Sequence, residues 1–138
     1  MNHSPRRPSA FLFLCLFSAI CALAIEARAA PYISSVSGIV QRRNVGYPNW
    51  ETVANVPLNL SVGDSVRTGA RAKATLTFED GSRVEIGDNG SFTLEAADAR
   101  SSGVHLTLGV LKAFIQKLGS RRFSVRTPTA VCSVRGTE

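Results

Sequence analysis

Apolar and polar residues alternate most cleanly at Ala72, Ala74, Leu76 and Phe78, which are separated by Arg71, Lys73, Thr75, Thr77 and Glu79. A two-residue period places one set on each face, so this segment is expected to be a strand with one wet face. After Asp80-Gly81 the alternation resumes at Val84 and Ile86. A two-residue turn on Asp80-Gly81 would set Phe78 beside Arg83 and send Val84 to the wet face. A three-residue loop, Glu79-Asp80-Gly81, instead pairs Leu76 with Val84 and Ala74 with Ile86 and keeps the apolar face continuous. That loop requires Gly81 in the left-handed region, as a bulge that a side chain would resist.

Short alternating runs of this kind recur along the chain, at Ile33 to Gln41, Asp64 to Arg67, Ser91 to Leu94, Val104 to Leu108, Arg122 to Thr127 and Ala130 to Arg135. Turn-forming residues cluster at Asn44 to Pro48, Ser61 to Asp64, Gly87 to Gly90 and Ala97 to Gly103. Helix-period segments are scarce, so the expected class is all-β, one domain of short curled antiparallel or solenoid-like strands. One segment fits less well. Val110, Leu111, Phe114, Ile115 and Leu118 have helical spacing, with Lys112, Gln116 and Lys117 opposite, and by pattern alone it reads equally as helix or strand.

The first residues have a different character. Arg6 and Arg7 precede an apolar run from Phe11 to Ile25, and Ala27-Arg28-Ala29 supplies small residues where a signal peptidase reads. This order predicts a secretory signal peptide over residues 1–29, cleaved after Ala29. The run is shorter than a membrane span and ends in Glu26 and Arg28, so membrane contact is expected only through a leader left uncleaved. The bulky Leu14 and Ile20 before Cys15 and Cys21 fit poorly with a lipid-modification site, so both cysteines are expected to leave with the leader. Residues 30–138 then form one domain. Its one cysteine, Cys132, has no intramolecular disulfide partner and is read as a small buried apolar residue.

The formal net charge of +6 would suggest nucleic acid for a cytosolic protein. Export removes that partner, and beyond Ala29 thirteen basic residues face nine acidic ones, spread along the chain rather than gathered in a run. Arg42-Arg43 and Arg121-Arg122 are most simply solvated turn or edge residues. His105 is the one histidine beyond the leader, so neither a zinc site nor a histidine-based triad can be assembled.

Several motifs in order resemble a known family. They are Trp50, then Leu60-x-x-Gly63-Asp64-x-Val66-x-Thr68-Gly69, then Ala74-x-Leu76-x-Phe78-x-Asp80-Gly81-Ser82, Leu106-x-Leu108-Gly109, Phe123-x-Val125-x-Thr127-Pro128 and Val134-Arg135-Gly136-Thr137-Glu138. Together they resemble the FecR domain over nearly the whole chain after the leader. The resemblance implies an all-β domain of curled, solenoid-like strands, and on that ground Val110 to Leu118 is assigned to strand. It also implies at least one further strand after Arg135-Gly136-Thr137, so the last hairpin is expected to be C-terminally truncated and to leave an open edge.

Gly63, Asp64, Thr68, Asp80, Gly81, Arg135, Gly136 and Thr137 are expected to be structural. Asp64 and Asp80 could be a carboxylate pair, but each adjoins a turn glycine, where an aspartate commonly bonds its own backbone. Trp50 either anchors the core or contacts a ligand, with Arg42 and Arg43 beside it in the second case. Thr127-Pro128-Thr129 is read as a strand break.

No residue pattern argues for catalysis, and no cofactor or metal is expected. Proteins resembling FecR itself pass a signal from an outer-membrane receptor to a sigma factor. About ten residues precede the apolar run here, too few for a cytoplasmic anti-sigma part. The expectation is a periplasmic, non-catalytic module that binds an envelope protein through its strand edges. The alternative is a module for peptidoglycan or another acidic glycan, bound through Trp50 and the scattered basic residues.

Overall fold

The computed structural model describes residues 29–116, 121–129 and 131–135. The leader with its cysteines, Lys117 and Leu118, Ala130, and Gly136-Thr137-Glu138 lie outside the described residues. The described chain is all strand and turn. In order the strands are β1 (Tyr32–Ser37), β2 (Val40–Arg43), β3 (Glu51–Thr52), β4 (Leu58–Asn59), β5 (Ser65–Thr68), β6 (Lys73–Thr77), β7 (Arg83–Ile86), β8 (Ser91–Ala97), β9 (Ser101–Leu108), β10 (Leu111–Phe114), β11 (Arg122–Arg126) and β12 (Val131–Arg135).

They form two sheets, ordered β10-β7-β6-β1-β4 and β12-β11-β9-β8-β5-β2-β3. The chain switches sheet after β1, β3, β4, β5, β7, β9 and β10, so it winds between the layers instead of completing one before starting the other. The described pairs are antiparallel except β9 with β11, which run parallel.

One cluster of buried side chains lies between the layers. Ile33, Ala74, Leu76, Val84 and Ile86 enter it from the first sheet, and Val40, Val66, Phe92, Leu94, Val104 and Phe123 from the second. Each fully buried side chain of this size stabilises the fold by roughly 1.5–3 kcal/mol relative to an exposed one. Phe78, just past β6, meets Phe123 of β11 edge to face with centroids 5.5 Å apart, which links the two layers at one end.

The β6–β7 hairpin has the register that the parity argument selects. Leu76 faces Val84 and Ala74 faces Ile86. Ser82 O accepts from Phe78 N–H and Phe78 O from Gly81 N–H, so the loop is Glu79-Asp80-Gly81, with Gly81 at φ +82°.

The expected single strand from Ile33 to Gln41 is two strands in different sheets. Ile33 and Val40 are both buried although their positions differ in parity, which no straight strand allows. Two devices correct the parity. A bulge at Ser34 shifts the β1–β6 register between Ile33 and Ser35, and Gly38 (φ +73°) turns the chain out of β1. A Cβ on Gly38 would lie 3.0 Å from the Ala72 backbone, so the turn is also a close approach.

The expected loop from Ala97 to Gly103 is only three residues long. β8 runs to Ala97 and β9 begins at Ser101, and Asp98 Oδ1 closes the turn by accepting from the N–H groups of Arg100 and Ser101. Gly103 is a strand residue. A Cβ there would stand 2.6 Å from Ser124 Oγ on the parallel neighbour β11. Strands β3 and β4 went unread because two residues cannot show an alternation.

The helically spaced segment is strand at Leu111–Phe114, as the family resemblance implies. Leu111 pairs with Ile86 and Ala113 with Val84. Leu111 and Ile115 pack against the core, while Val110 and Phe114 stay 66% and 46% exposed, so the helical stripe never gathers on one face. The last hairpin pairs Val125 with Cys132, and Cys132 is exposed, not buried. Among the described residues β12 is paired on one side only, by β11.

Candidate functional site

The motif residues resolve first into turn chemistry. Gly63 takes φ +95°, and a Cβ there would lie 2.7 Å from Val45 Cγ2. Asp64 follows at the entrance to β5 and is 1% exposed. Its Oδ1 accepts from Val45 N–H at 2.9 Å and its Oδ2 from Ser61 N–H at 3.0 Å, so one carboxylate ties together two loops and the start of a strand. Thr68 ends β5. Its hydroxyl donates to Gly87 O at 2.6 Å and accepts from Gly90 N–H at 2.9 Å, which fixes the β7–β8 turn. Asp80 accepts from Ser82 N–H at 2.9 Å, within its own loop. The two aspartates thus serve separate turns. Arg135 pairs with Arg122 in the β11–β12 ladder, and Gly136 and Thr137 lie outside the described residues.

The residues read as ligand contacts divide. Arg42 lies on β2 with its guanidinium turned to Asp64, Nε standing 3.4 Å from Oδ2. It also donates to Asn44 Oδ1. Arg42 therefore belongs to the loop anchor. Arg43, one position on, points to the opposite face of the strand, as the two-residue period requires.

Trp50 immediately precedes β3, which pairs with β2. It is half-buried and lies outside the core cluster, so it is not a core anchor. The Arg43 guanidinium carbon is 4.8 Å from the indole centroid and that of Arg67, on β5, is 4.3 Å from it. Both are within cation–π range, worth about 0.5–1 kcal/mol per contact at an exposed site. Arg67 escaped the sequence reading because it is seventeen positions from Trp50 and only the β2–β5 register brings it near. That register sets Gln41 opposite Arg67 and Arg43 opposite Ser65. Gln41 Oε1 accepts from Arg67 Nε at 2.9 Å and steadies the second guanidinium.

Among the described residues neither Arg43 nor Arg67 has a carboxylate partner; the ion pairs there are Arg42–Asp64, His105–Glu95, Arg121–Asp80 and Arg126–Glu95. His105 Nδ1 lies 3.7 Å from Glu95 Oε1, and no group of three or more His, Cys, Asp or Glu among the described residues is placed to hold a metal ion.

A second accessible feature is the outer edge of the five-stranded sheet. There β10 is paired only by β7 among the described residues. Val110, just before it, and Phe114 on it are 66% and 46% exposed, and Leu108, at the end of β9 in the other sheet, is 64% exposed.

Fold and site together define an all-β domain of two interleaved sheets, whose recurring Asp, Gly and Thr residues build turns and whose accessible features are a sheet edge and a basic aromatic face. Residues 64–138 match the family model described as FecR protein, and the chain belongs to the FecR family. Domains of this family are typically periplasmic and act as sensing and regulatory modules of FecR-type regulators. No curated protein and no solved structure matches the chain. Among the described residues no helix is long and apolar enough to cross a membrane.

Proposed function

We propose that this chain is a periplasmic, non-catalytic interaction module that docks an envelope protein along an exposed sheet edge. The observation that carries the reading is β10, paired only by β7 among the described residues, with Phe114 on it and Val110 just before it exposed. A row of unpaired backbone groups flanked by exposed apolar side chains favours addition of an extended segment from another chain. Lys112, exposed on the same strand, is the kind of residue that blunts unselective pairing while leaving a matched partner free to bind. Secretion through the N-terminal leader and cleavage after Ala29 belong to the same reading.

The test is in-cell crosslinking with the full chain, tagged at its C-terminus and expressed with its own leader. A single dominant envelope protein should be recovered, and Phe114→Glu should abolish its recovery while an exposed substitution away from the edge, Arg100→Gln, leaves it unchanged. Equal recovery by both variants would remove β10 as the docking edge. Absence of any specific partner would refute the protein-binding reading.

A further inference from the structure

We infer that Arg43, Trp50 and Arg67 form a recognition site for carboxylate groups of an acidic polysaccharide, separate from the β10 edge. Arg43 and Trp50 precede the residues matched to the family, and Arg67 lies within them.

Three observations carry the inference. First, two guanidiniums are held 4.8 and 4.3 Å from one indole centroid with no carboxylate partner among the described residues. Two like charges brought to one ring repel each other, and an anion shared between them would relieve that repulsion. Second, the guanidiniums are oriented before any ligand arrives, Arg67 by the 2.9 Å bond from its Nε to Gln41 Oε1 and both by the indole. A fixed planar fork suits a carboxylate better than a free ammonium does, because less freedom is lost on binding. Third, the sheet positions next to the two arginines carry hydrogen-bonding groups rather than apolar ones. The cross-strand rows run Gln41–Arg67–Ser91–Leu108 and Arg43–Ser65–Thr93–His105, so the immediate neighbours of both arginines are polar.

The third observation selects the class of ligand. A protein partner would draw its affinity from an apolar centre. The exposed Phe114 belongs to the other sheet, and the nearest large apolar side chain in the two rows, Leu108, stands at the far end on β9, two strands away from Arg67. A uronate chain offers one carboxylate and several hydroxyls per sugar, which matches two guanidiniums bordered by amide and hydroxyl groups. The guanidiniums already occupy the neighbourhood of the indole, so the ligand meets charge first and ring second.

Trp50 is the one tryptophan in the chain, so its fluorescence reports the site directly. The full chain is titrated with a mannuronate hexamer, a neutral glucan hexamer and a glutamate hexapeptide. The mannuronate should give a saturable change in Trp50 emission that weakens several-fold as salt is raised from about 20 to about 150 mM, because the contacts are exposed and screened. Arg43→Gln and Arg67→Gln should each weaken it by about tenfold, and Arg67→Lys nearly as much, because the fork rather than the charge is lost. Arg100→Gln, an exposed arginine in the β8–β9 turn, should leave it unchanged. Thermal melts of the variants separate loss of the site from loss of the fold, and Arg67→Lys keeps the test available if the glutamine variants unfold. Absence of mannuronate binding, equal binding of the neutral glucan, or equal binding of the glutamate peptide each overturns the inference. None of these results depends on a partner at β10.

Discussion

Arg42 places its Nε 3.4 Å from Oδ2 of Asp64, which is 1% exposed and already holds the N–H groups of Val45 and Ser61. The pair joins β2, the loop after it and the entrance of β5, the three segments that carry the arginine–tryptophan face. Arg42 and Arg43 are adjacent in sequence and do opposite things because a strand sends neighbours to opposite faces.

Replacing Asp64 should therefore be costly. Asp64→Ala leaves two backbone N–H groups without their acceptor and Arg42 without its counter-charge, and a loss of about 3 kcal/mol is expected. Asp64→Asn keeps one acceptor oxygen and should lose about half as much. Urea unfolding of the two variants checks the order.

The Thr68 hydroxyl closes the β7–β8 turn by bonding both Gly87 O and Gly90 N–H. Thr68→Val keeps the shape and removes the hydroxyl, leaving Gly90 N–H buried without its partner, and about 2 kcal/mol of stability should go with it. Thr68→Ser, which keeps the hydroxyl, should lose less than half of that in the same unfolding assay.

Gly81 occupies φ +82° in a three-residue loop, and a Cβ there would meet only ordinary van der Waals contact, its nearest neighbour being Gln116 Cγ at 3.6 Å. Gly81→Ala should cost about 1 kcal/mol through backbone strain alone, and Gly81→Asn less, because asparagine tolerates the left-handed region. A larger loss from alanine than from asparagine in thermal melts would confirm that conformation, not crowding, sets the requirement.

Phe78 and Phe123 meet edge to face across the two layers. Each alanine variant should lose about 3–5 kcal/mol, and a double-mutant cycle should return a coupling of about 1 kcal/mol. Additivity within error would show that the contact contributes area and no specific geometry.

Cys132 is exposed on β12, so a maleimide should label its peptide in the folded chain at a rate close to that of the urea-unfolded chain. Protection in the folded state, read by mass spectrometry, would contradict the placement of that strand.

Local pattern settled much of this protein. The alternation from Arg71 to Glu79 fixed a strand, its resumption at Val84 and Ile86 fixed the hairpin register, and that register demanded a glycine at position 81, all because side-chain period and turn length are local constraints. The turn role of Asp80 was legible for the same reason, and so was half of Asp64's, its bond from Ser61 N–H; its bond from Val45 N–H, nineteen positions away, was not. Other features required the tertiary structure. Whether the chain from Ile33 to Gln41 belongs to one sheet or two depends on the close approach of Gly38 to Ala72, and the fate of Val110 to Phe114 depends on pairing with β7 rather than on its own spacing. The partners of Trp50 come from two other segments, β2 and β5, and the meeting of all three is written in the β2–β3 and β2–β5 registers. A sequence states which residues alternate and where the backbone can bend, but long-range register decides which strands lie side by side, and a site assembled across strands exists only once that register is set.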